Sequence, residues 1–405
     1  MVRETLFRLG LGVCAYLLLS LIESFMFKLF FWISIITIFY AYIGYILLIP
    51  FFAIFFNRRV TQKDIEPKVT FLITAYNEEK SIAAKLEDTL SLDYPEENLE
   101  VMVASDGSTD RTDEIVKGFA DRGVVLKRVE GRVGKTATQN EAVKSATGEI
   151  IVFSDATTKY SKDAIRKIVR NYADEGVGAV SGRYEYVNPT GASVGIGTIL
   201  FWKYENFIKS MQTRIRTITG CCGCIYSVKK EAYVPLPPDI ISDLVEPLKI
   251  IERGFRIVFE PEAVAYEETT EKPSEEFKMR IRVITRAMRG ILYVKSLLNP
   301  FKYPFVSFQL ISHKVLRWLI PFFLIGLLVS NYFLIGTHLF YNLFFAGQIV
   351  FYVSALIGLL SDRLGHKMKV LAIPLYFCVV NYASFLAFFK TLKGQKTIVW
   401  ETVRK

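Results

Sequence analysis

Three polar clusters in the sequence each follow a run of apolar, β-forming residues. They read AYNEE at 75–79, SDGSTD at 105–110 and SDATT at 154–158. In open α/β sheets, ligands bind beyond the carboxyl ends of the strands, so clusters at strand ends meet at one edge of the sheet. Carboxylates placed there can bind a divalent cation or accept hydrogen bonds from a ligand. The three clusters therefore predict a polar binding site at that edge.

In the stretch IVFSDAT, Asp155 follows the β-forming run IVFS. An aspartate at a strand end can bind the metal ion used in phosphate chemistry. A second carboxylate would be expected two residues later, but Thr157 occupies that position. A lone aspartate after a buried strand can also be a turn residue. We interpret Asp155 as a metal ligand, and the threonine predicts weaker metal binding than a pair of aspartates would give.

Two further residues have types that suit a bound nucleotide. Asp106, in SDGSTD, can accept hydrogen bonds from a base or a ribose; the alternative is a purely structural strand-turn-helix. Lys135 begins the stretch KTATQN, which lacks the GxxxxGK[ST] pattern of a phosphate loop. A lysine just before a helix can still meet a diphosphate through its own charge and the helix N-terminus.

The elements that would carry these residues form an α/β pattern. Strand and helix signals alternate over residues 69–187, which predicts a largely parallel, helix-covered sheet. Residues 188–260 show turn signals and less regularity. A basic amphipathic helix follows, with Ser274 as its expected cap and apolar residues at helical spacing from Phe277 to Ile291. We expect this helix to lie at a membrane surface.

The ends of the chain are too apolar for an ordinary soluble protein. Of its 405 residues 51% are hydrophobic, and the mean hydropathy is +0.29. No charged residue occurs between Lys28 and Arg58, between Arg317 and Asp362, or between Lys369 and Lys390. Because a membrane helix needs about 20 apolar residues, these gaps predict one, two and one spans. Residues 5–22 form a weaker additional candidate.

This distribution predicts a multi-pass protein of the plasma membrane. We expect N-terminal membrane helices in 1–60, a catalytic domain in 61–273, interfacial helices in 274–314 and C-terminal membrane helices with a basic tail in 315–405. The basic residues just after the second span place the middle domain in the cytoplasm by the positive-inside rule. Counting the spans puts the basic tail outside, whereas its positive charge predicts the inside, so the side of the tail stays open.

The cysteines and histidines indicate no zinc site. Cys221, Cys222 and Cys224 cluster without suitably spaced partners, and the three histidines lie in or beside the membrane region. We interpret the cysteines as a reduced group of small buried residues.

Taken in order, the motifs TAYNEE, SDGSTD, GKTATQNEA, FSDATT, ISDLVEPL and GFRIVFEPEAVAYEE resemble family 2 glycosyltransferases. The resemblance is to the membrane-embedded branch of cellulose, hyaluronan and poly-N-acetylglucosamine synthases, and it covers nearly the whole chain. It implies a GT-A fold that binds a nucleotide diphosphate sugar, usually a UDP-sugar, together with Mg²⁺ or Mn²⁺.

The resemblance also implies roles for individual residues. Those matched to the family's motifs are Ala75, Asn77, Glu78 and Asp106 in the nucleoside pocket, Lys135 near the nucleotide, Asp155 as first metal ligand and Asp243 as general base. An inverting transfer needs one such carboxylate to take the acceptor's proton. Asp239 is the nearest competitor but reads as part of a loop, and we expect Glu246 to face solvent or form a salt bridge.

One family element is altered. The QxxRW motif of polymerising synthases aligns with MRIRV, which keeps Arg282 but has Met279 and Val283 for the glutamine and tryptophan. Arg282 can pair bidentately with a diphosphate, and Arg286 and Arg289 share its helix face. For Arg280 and Arg289 the alternative is contact with anionic lipid headgroups. Without the tryptophan, processive polymerisation is in doubt.

Four residues are candidates for the acceptor side. Trp202, Tyr204 and Glu205 occupy another interfacial stretch, and Arg183 lies in SGRYEY. Aromatic residues at a bilayer interface need no catalytic role to explain them, and Arg183 has an equally simple structural explanation.

The expected function is an inverting, metal-dependent glycosyltransferase that extends an extracellular or cell-surface polysaccharide from the cytoplasmic membrane face. The alternative is transfer of a single sugar to a lipid or polyprenyl-linked acceptor; a transporter or receptor with a nucleotide-binding domain is more remote. The expected partners are the nucleotide-sugar donor, a glycan or lipid-linked acceptor and membrane lipid. A homo-oligomer or a partner protein is compatible with this function, and no nucleic-acid motif occurs.

Overall fold

The computed structural model describes residues 22–396, apart from residues 190, 270, 271, 365 and 367. Its helices, short 3₁₀ turns aside, are α1 (Ile22–Phe55), α2 (Ile82–Leu90), α3 (Thr112–Lys117), α4 (Lys135–Ser145), α5 (Ala164–Val169), α6 (Ser193–Ile215), α7 (Ser242–Glu252), α8 (Pro273–Tyr293), α9 (Pro304–Phe333), α10 (Leu339–Arg363) and α11 (Ala372–Leu392). Its strands are β1 (Val69–Ala75), β2 (Leu99–Asp106), β3 (Val124–Val129), β4 (Ile150–Asp155), β5 (Lys159–Tyr160), β6 (Val177–Val187), β7 (Tyr226–Lys229) and β8 (Arg256–Glu268).

The strands form one mixed sheet in the order β3-β2-β1-β4-β7-β6-β8-β5. Strands β3, β2, β1 and β4 are parallel neighbours, as predicted from the alternating pattern. Strand β7 runs antiparallel between β4 and β6, and β8 is parallel to β6. The register pairs Thr74 with Asp155 and Ala75 with Ser105, so the carboxyl ends of three strands lie side by side.

Helices cover both faces of this sheet, and the core is correspondingly split in two. All seven residues of β1 are buried, as expected of a central parallel strand with helices on both sides. One face packs against α2 and α5 through residues such as Leu86 and Ile165. The other face packs against α4 and α7 through residues such as Val143 and Leu248. The α/β prediction is confirmed.

Two local predictions were wrong. The region after residue 188 contains the 23-residue helix α6, where turn signals had indicated irregular structure. Helix α8 begins at Pro273, one residue before the expected cap Ser274, because proline suits the first helical position, where no N–H partner is needed.

Over the described residues, four helices are long and apolar enough to cross a membrane: α1, α9, α10 and the helix Lys369–Leu392, which includes α11. Three of them follow the catalytic region, as predicted. The candidate span at 5–22 falls, except for Ile22, outside the described residues. The boundary expected between residues 314 and 315 falls inside the continuous helix α9.

The membrane helices pack directly on the domain, so the two parts share an interior. Helix α6 crosses α11 so closely that a Cβ placed on Gly197 would lie 2.4 Å from Cβ of Tyr376. Tyr45 of α1 accepts a hydrogen bond from Gln212 of α6 at 2.9 Å. This packing places α6 between the sheet and the membrane helices.

Candidate active site

A cavity of about 690 Å³ opens at the carboxyl ends of β1 and β4 and continues between the membrane helices. The sequence-predicted residues that line it are Glu78, Lys135, Asp155, Trp202, Tyr204, Glu205, Asp243 and Arg282. They come from strand ends, helix starts and the two long helices α6 and α8, and the tertiary fold brings them to one cavity.

Asp155 and Lys135 form an ion pair at this edge. Asp155 ends β4, and Lys135 is the first residue of α4, so strand end and helix start meet. Burial lowers the pKa of Lys135, but the Asp155 carboxylate outweighs it and the net pKa is raised. The lysine is therefore cationic at neutral pH and available to a diphosphate.

A second carboxylate, which no sequence motif indicated, lies beside Thr157. The hydroxyl of Thr157 donates a hydrogen bond to Oε1 of Glu267 at 2.9 Å, and both residues line the cavity. Burial, with the Asp155 charge as a smaller cause, raises the pKa of Glu267 to about 8. Glu267 lies at the end of β8, and no local pattern links it to Thr157.

Asp243 is held by close backbone contacts. It lies in the first turn of α7, where the helix dipole favours a negative charge. The N–H of Cys221 donates to the Asp243 carbonyl oxygen at 2.8 Å. A Cβ added to Gly223 would lie 2.8 Å from Oδ2 of Asp243, so only glycine fits there without displacing the carboxylate.

The surroundings of Asp243 make it a stronger base than a free aspartate. Burial raises the pKa of Asp243, and the nearby Asp155 charge adds to the rise. Lys135, Arg286 and Lys209 oppose it, and the net shift is upward. A raised pKa brings a carboxylate closer to the value that general-base catalysis at neutral pH requires.

The remaining nucleoside-pocket residues organise loops. Asp106 is fully buried and accepts hydrogen bonds from the N–H groups of Val133 and Gly134 and from the Thr138 hydroxyl. Asn77 has a φ of 53° and accepts from the Thr109 N–H at 2.8 Å. These residues and Ala75 shape the strand-end loops, and their contact with a nucleotide stays a prediction.

The arginines of α8 contact protein groups, which corrects the lipid-headgroup alternative for two of them. Arg280 pairs with Glu276 and donates to the Tyr376 hydroxyl, each at 2.7 Å. Arg289 pairs with Asp239. Lipid headgroups therefore need not neutralise either guanidinium.

Arg282 and Arg286 have different surroundings and therefore different expected roles. Arg286 is buried and donates hydrogen bonds to the Ile240 carbonyl oxygen at 2.7 Å and to Thr136 Oγ1 at 3.2 Å. It thereby fixes the loop that precedes Asp243. Arg282 lines the cavity next to Met279 and Val283, the two departures from the family motif.

The expectation that Glu246 faces solvent or forms a salt bridge is wrong. Glu246 is 1% exposed and accepts a hydrogen bond from the Tyr226 hydroxyl at 3.1 Å, so it neither faces solvent nor forms a salt bridge among the described residues. Burial raises the pKa of Glu246 well above its ordinary value. It is therefore a neutral, structural residue one helical turn from Asp243.

The acceptor-side candidates separate into two groups. Trp202, Tyr204 and Glu205 line the cavity from α6. Arg183 does not line it and instead pairs with Glu185 at 3.0 Å on the same strand. Its structural explanation is therefore favoured.

The cysteine cluster supports the loop beside Asp243. Cys222 and Cys224 are buried, and their sulfur atoms lie 3.5 Å apart as free thiols. Cys221 is only partly buried, so the predicted burial holds for two of the three cysteines, and their reduced state stays a prediction. Between residues 22 and 396, with the gaps named above, no three His, Cys, Asp or Glu side chains converge enough to hold a metal ion by themselves.

Comparison with known proteins identifies the family of the domain that carries this site. Residues 70–234 match the family described as glycosyl transferase family 2. The chain carries a family 2 glycosyltransferase domain. The matched range runs from the second residue of β1 through β7 and contains Asp155, Lys135 and the loop at 221–223 that contacts Asp243.

Two curated relatives carry related sequences. The domain and its surroundings are 29% identical over 220 residues to a poly-beta-1,6-N-acetyl-D-glucosamine synthase of Staphylococcus aureus, covering 53% of each chain. They are 28% identical over 295 residues to a probable glycosyltransferase, YdaM, of Bacillus subtilis, covering 68% of each. The chain thus spans about half the length of the synthases it matches.

One solved structure shares the architecture over most of the chain. It is the mannosyltransferase PcManGT of Pyrobaculum calidifontis in complex with GDP-Man and Mn²⁺. The two structures superpose with a TM-score of 0.68 at 21% identity, over 91% of this chain and 100% of the other. The likeness shows that the domain has a GT-A fold.

Proposed function

We propose that the family 2 domain transfers a sugar from a nucleoside diphosphate sugar, a UDP-sugar in the first instance, to an acceptor that arrives from the membrane. The observation that carries the proposal is the meeting of Asp155, Lys135 and Asp243 in one cavity beyond the strand ends. A cation beside a carboxylate suits a bound diphosphate, and a separate carboxylate with a raised pKa suits a base.

The reaction would invert the configuration at the sugar carbon. Asp243 would take the proton of the acceptor hydroxyl as that oxygen attacks the anomeric carbon from one side. The nucleoside diphosphate would leave on the opposite side with the bonding electrons, and Lys135 and Arg282 would stabilise its charge. One base is sufficient for such a single displacement.

A divalent cation, Mg²⁺ or Mn²⁺, fits the residues at the strand ends. Asp155 would supply one carboxylate oxygen and the donor diphosphate others, with Glu267 beside Thr157 as a further ligand. When bound, the cation offsets the negative charge that grows on the leaving diphosphate. The PcManGT complex contains Mn²⁺, which is consistent with this proposal.

The acceptor would be either a growing cell-surface glycan or a lipid-linked molecule. The relatives named poly-beta-1,6-N-acetyl-D-glucosamine synthase favour the glycan. The lipid-linked acceptor is favoured by the cavity itself, which reaches Tyr42 of α1 and Asn381 of α11, and by Val283 in the position of the supporting tryptophan. In both cases catalysis would take place at the cytoplasmic membrane face.

The test measures nucleotide release by purified full-length protein in nanodiscs across a panel of UDP- and GDP-sugars, with Mg²⁺, Mn²⁺ or EDTA. We expect release with one donor, loss of release in EDTA, and a fall of about 10²–10⁴-fold in Asp243→Asn, the range that a general base contributes. Asp64→Asn, an exposed carboxylate outside the cavity, is the matched control. Equal release by wild type and Asp243→Asn would refute the base assignment, and no UDP or GDP binding would refute the donor site.

A further inference from the structure

Lys209 is a buried lysine at the wall of the cavity. It is 5% exposed, and its ammonium lies over the rings of Trp202 and Phe259 at 5.5 and 5.9 Å. Among the described residues, Lys209 forms no ion pair and donates no hydrogen bond. Cation–π contacts offset part of the cost of removing an ammonium from water, but its three N–H donors stay unused.

The carboxylate that would normally pair with Lys209 contacts other residues. Glu205 stands four residues earlier on α6, a spacing at which glutamate and lysine normally pair. Its carboxylate instead contacts His313 at 3.0 Å, Lys314 at 3.6 Å and Arg317 of α9. Two cations, Lys314 and Arg317, therefore share this one carboxylate, and Lys209 is left without a carboxylate partner among the described residues.

A π-helical turn in α9 produces this arrangement. Residues Ile311–Val315 form the turn, and such turns insert an extra residue that redirects side chains, often at functional sites. A matching π-helical turn in α1, Tyr40–Gly44, contacts it through the Tyr40 and Ser312 hydroxyls at 2.8 Å. The two turns lie where the cavity passes between membrane helices.

Unused hydrogen-bonding atoms surround the same space. Within the part of the chain that the structure describes, Trp202 Nε1, the Tyr204 hydroxyl and His313 Nδ1 have no hydrogen-bond partner, and all three residues line the cavity. His313 is 2% exposed, so this nitrogen is shielded from bulk water. Buried polar groups without partners are costly, and a ligand with several acceptor oxygens would satisfy the donors among them.

The cavity continues from these groups to an apolar end. The lining residues there are mostly apolar, with Ile373, Phe377 and Val380 of α11 and Trp318 of α9. The polar residues among them are Tyr42 of α1 and Asn381 and Ser384 of α11. A hydrocarbon chain can enter between such helices, whereas a free sugar would gain little from them. Toward the strand ends of the sheet, the charge of Lys209 lies close enough to Asp243 to lower the pKa of the Asp243 carboxyl.

We propose that Lys209, with Arg317 and Lys314 behind it, binds the phosphate group of a polyprenyl-type lipid acceptor whose tail lies between α1, α9 and α11. The inference rests on the proposed function and deepens it, because it names the class of acceptor for the same cavity. The excess positive charge selects an anion, the unused donors suit phosphate oxygens, and the apolar end selects a lipid.

The test uses full-length protein in detergent and compares the dissociation constants of a polyprenyl phosphate and the matching polyprenol. We expect the phosphate to bind wild-type protein about tenfold more tightly or better. Lys209→Met should remove this difference. Lys203→Met, an exposed lysine of the same helix, should keep it. Lys209→Gln serves as a second variant if Lys209→Met does not fold.

Equal affinity of wild-type protein for phosphate and alcohol would overturn the proposal, as would a Lys209→Met protein that keeps the preference. Inorganic phosphate is the third probe: if it binds as tightly as the lipid and with the same Lys209 dependence, the site is one for small anions and the lipid assignment is wrong. UDP binding by wild-type protein is measured in parallel. Its absence, with Lys209-dependent lipid binding intact, would refute the proposed donor reaction and not the phosphate site.

Discussion

Gly223 shows how closely the candidate base is held. Because a Cβ at this position would lie 2.8 Å from Oδ2 and 3.2 Å from Cγ of Asp243, Gly223→Ala must displace the carboxylate. A displacement of about 1 Å in a reacting group can cost on the order of 10²-fold in rate. We expect Gly223→Ala to lower turnover by about 10- to 100-fold while UDP binding persists.

The measurement is steady-state nucleotide release together with UDP binding. Gly347→Ala, a glycine of α10 with no atom within 4 Å of an added Cβ, is the control and should behave as wild type. Full activity of Gly223→Ala would show that Asp243 does not need its observed position.

The buried carboxyl of Glu246 should make the stability of the folded protein depend on pH. Its pKa is raised in the folded protein, so the carboxyl contributes most to stability below its unfolded pKa of about 4.3, and this contribution is lost as pH rises toward the folded pKa. Glutamine cannot ionise and still accepts from Tyr226. Glu246→Gln should therefore gain stability relative to wild type between pH 5 and 8, by about 1–2 kcal/mol.

Thermal unfolding in detergent at several pH values would test this. A constant difference in stability between the two proteins across that range would mean that folding does not raise the pKa of Glu246. A relative loss of stability by the variant at high pH would contradict the predicted sign.

At the scale of elements, helix α6 couples the sheet to the membrane helices. Its crossing with α11 depends on Gly197, whose Cβ position would lie 2.4 Å from Cβ of Tyr376. A larger side chain must push the two helices apart, and overpacking of this kind costs about 1–3 kcal/mol. Gly197→Leu should lower the melting temperature and weaken acceptor-dependent transfer more than UDP binding.

The matched variant is Gly347→Leu, which places the same side chain where it meets no neighbour. Equal melting temperatures for the two variants would show that the α6–α11 crossing contributes little. Loss of UDP binding in Gly197→Leu would show that the donor site depends on this crossing.

At the scale of the whole molecule, the charge distribution predicts an orientation. The basic residues after α1 favour a cytoplasmic domain, and α9 would then cross to an outside loop before α10. A cysteine introduced at Thr337 should react with a membrane-impermeant maleimide in intact cells, in a background without the native cysteines. One introduced at Lys117, exposed on the domain, should react only after the cells are opened.

Labelling of both positions in intact cells would contradict a cytoplasmic domain. Labelling of Lys117→Cys alone would reverse the orientation and move the proposed donor site away from the cytoplasm.

The local sequence determined the alternating strands and helices between residues 69 and 187 and the three C-terminal helices that are long and apolar enough to cross a membrane. Such elements follow from the spacing of apolar residues and from turn and capping residues, which act over a few positions. The same local logic placed Asp155 at a strand end and Lys135 at a helix start, where an α/β sheet binds ligands. Asp243 followed only from the resemblance to the family's motif. Local signals misled only where neighbours intervened: α6 begins in a region rich in turn residues, and Pro273 displaced Ser274 from the helix start.

Only the tertiary structure decided which side chains meet. Glu267 reaches Thr157 across 110 residues of sequence because β8 pairs beside β5. Glu246 is buried, although it was expected to face solvent or to form a salt bridge. Glu205 turns from Lys209 to α9 and leaves a cation facing the cavity. Such contacts depend on sheet order, helix crossing and a π-helical turn, and none of these is encoded within one short stretch of residues.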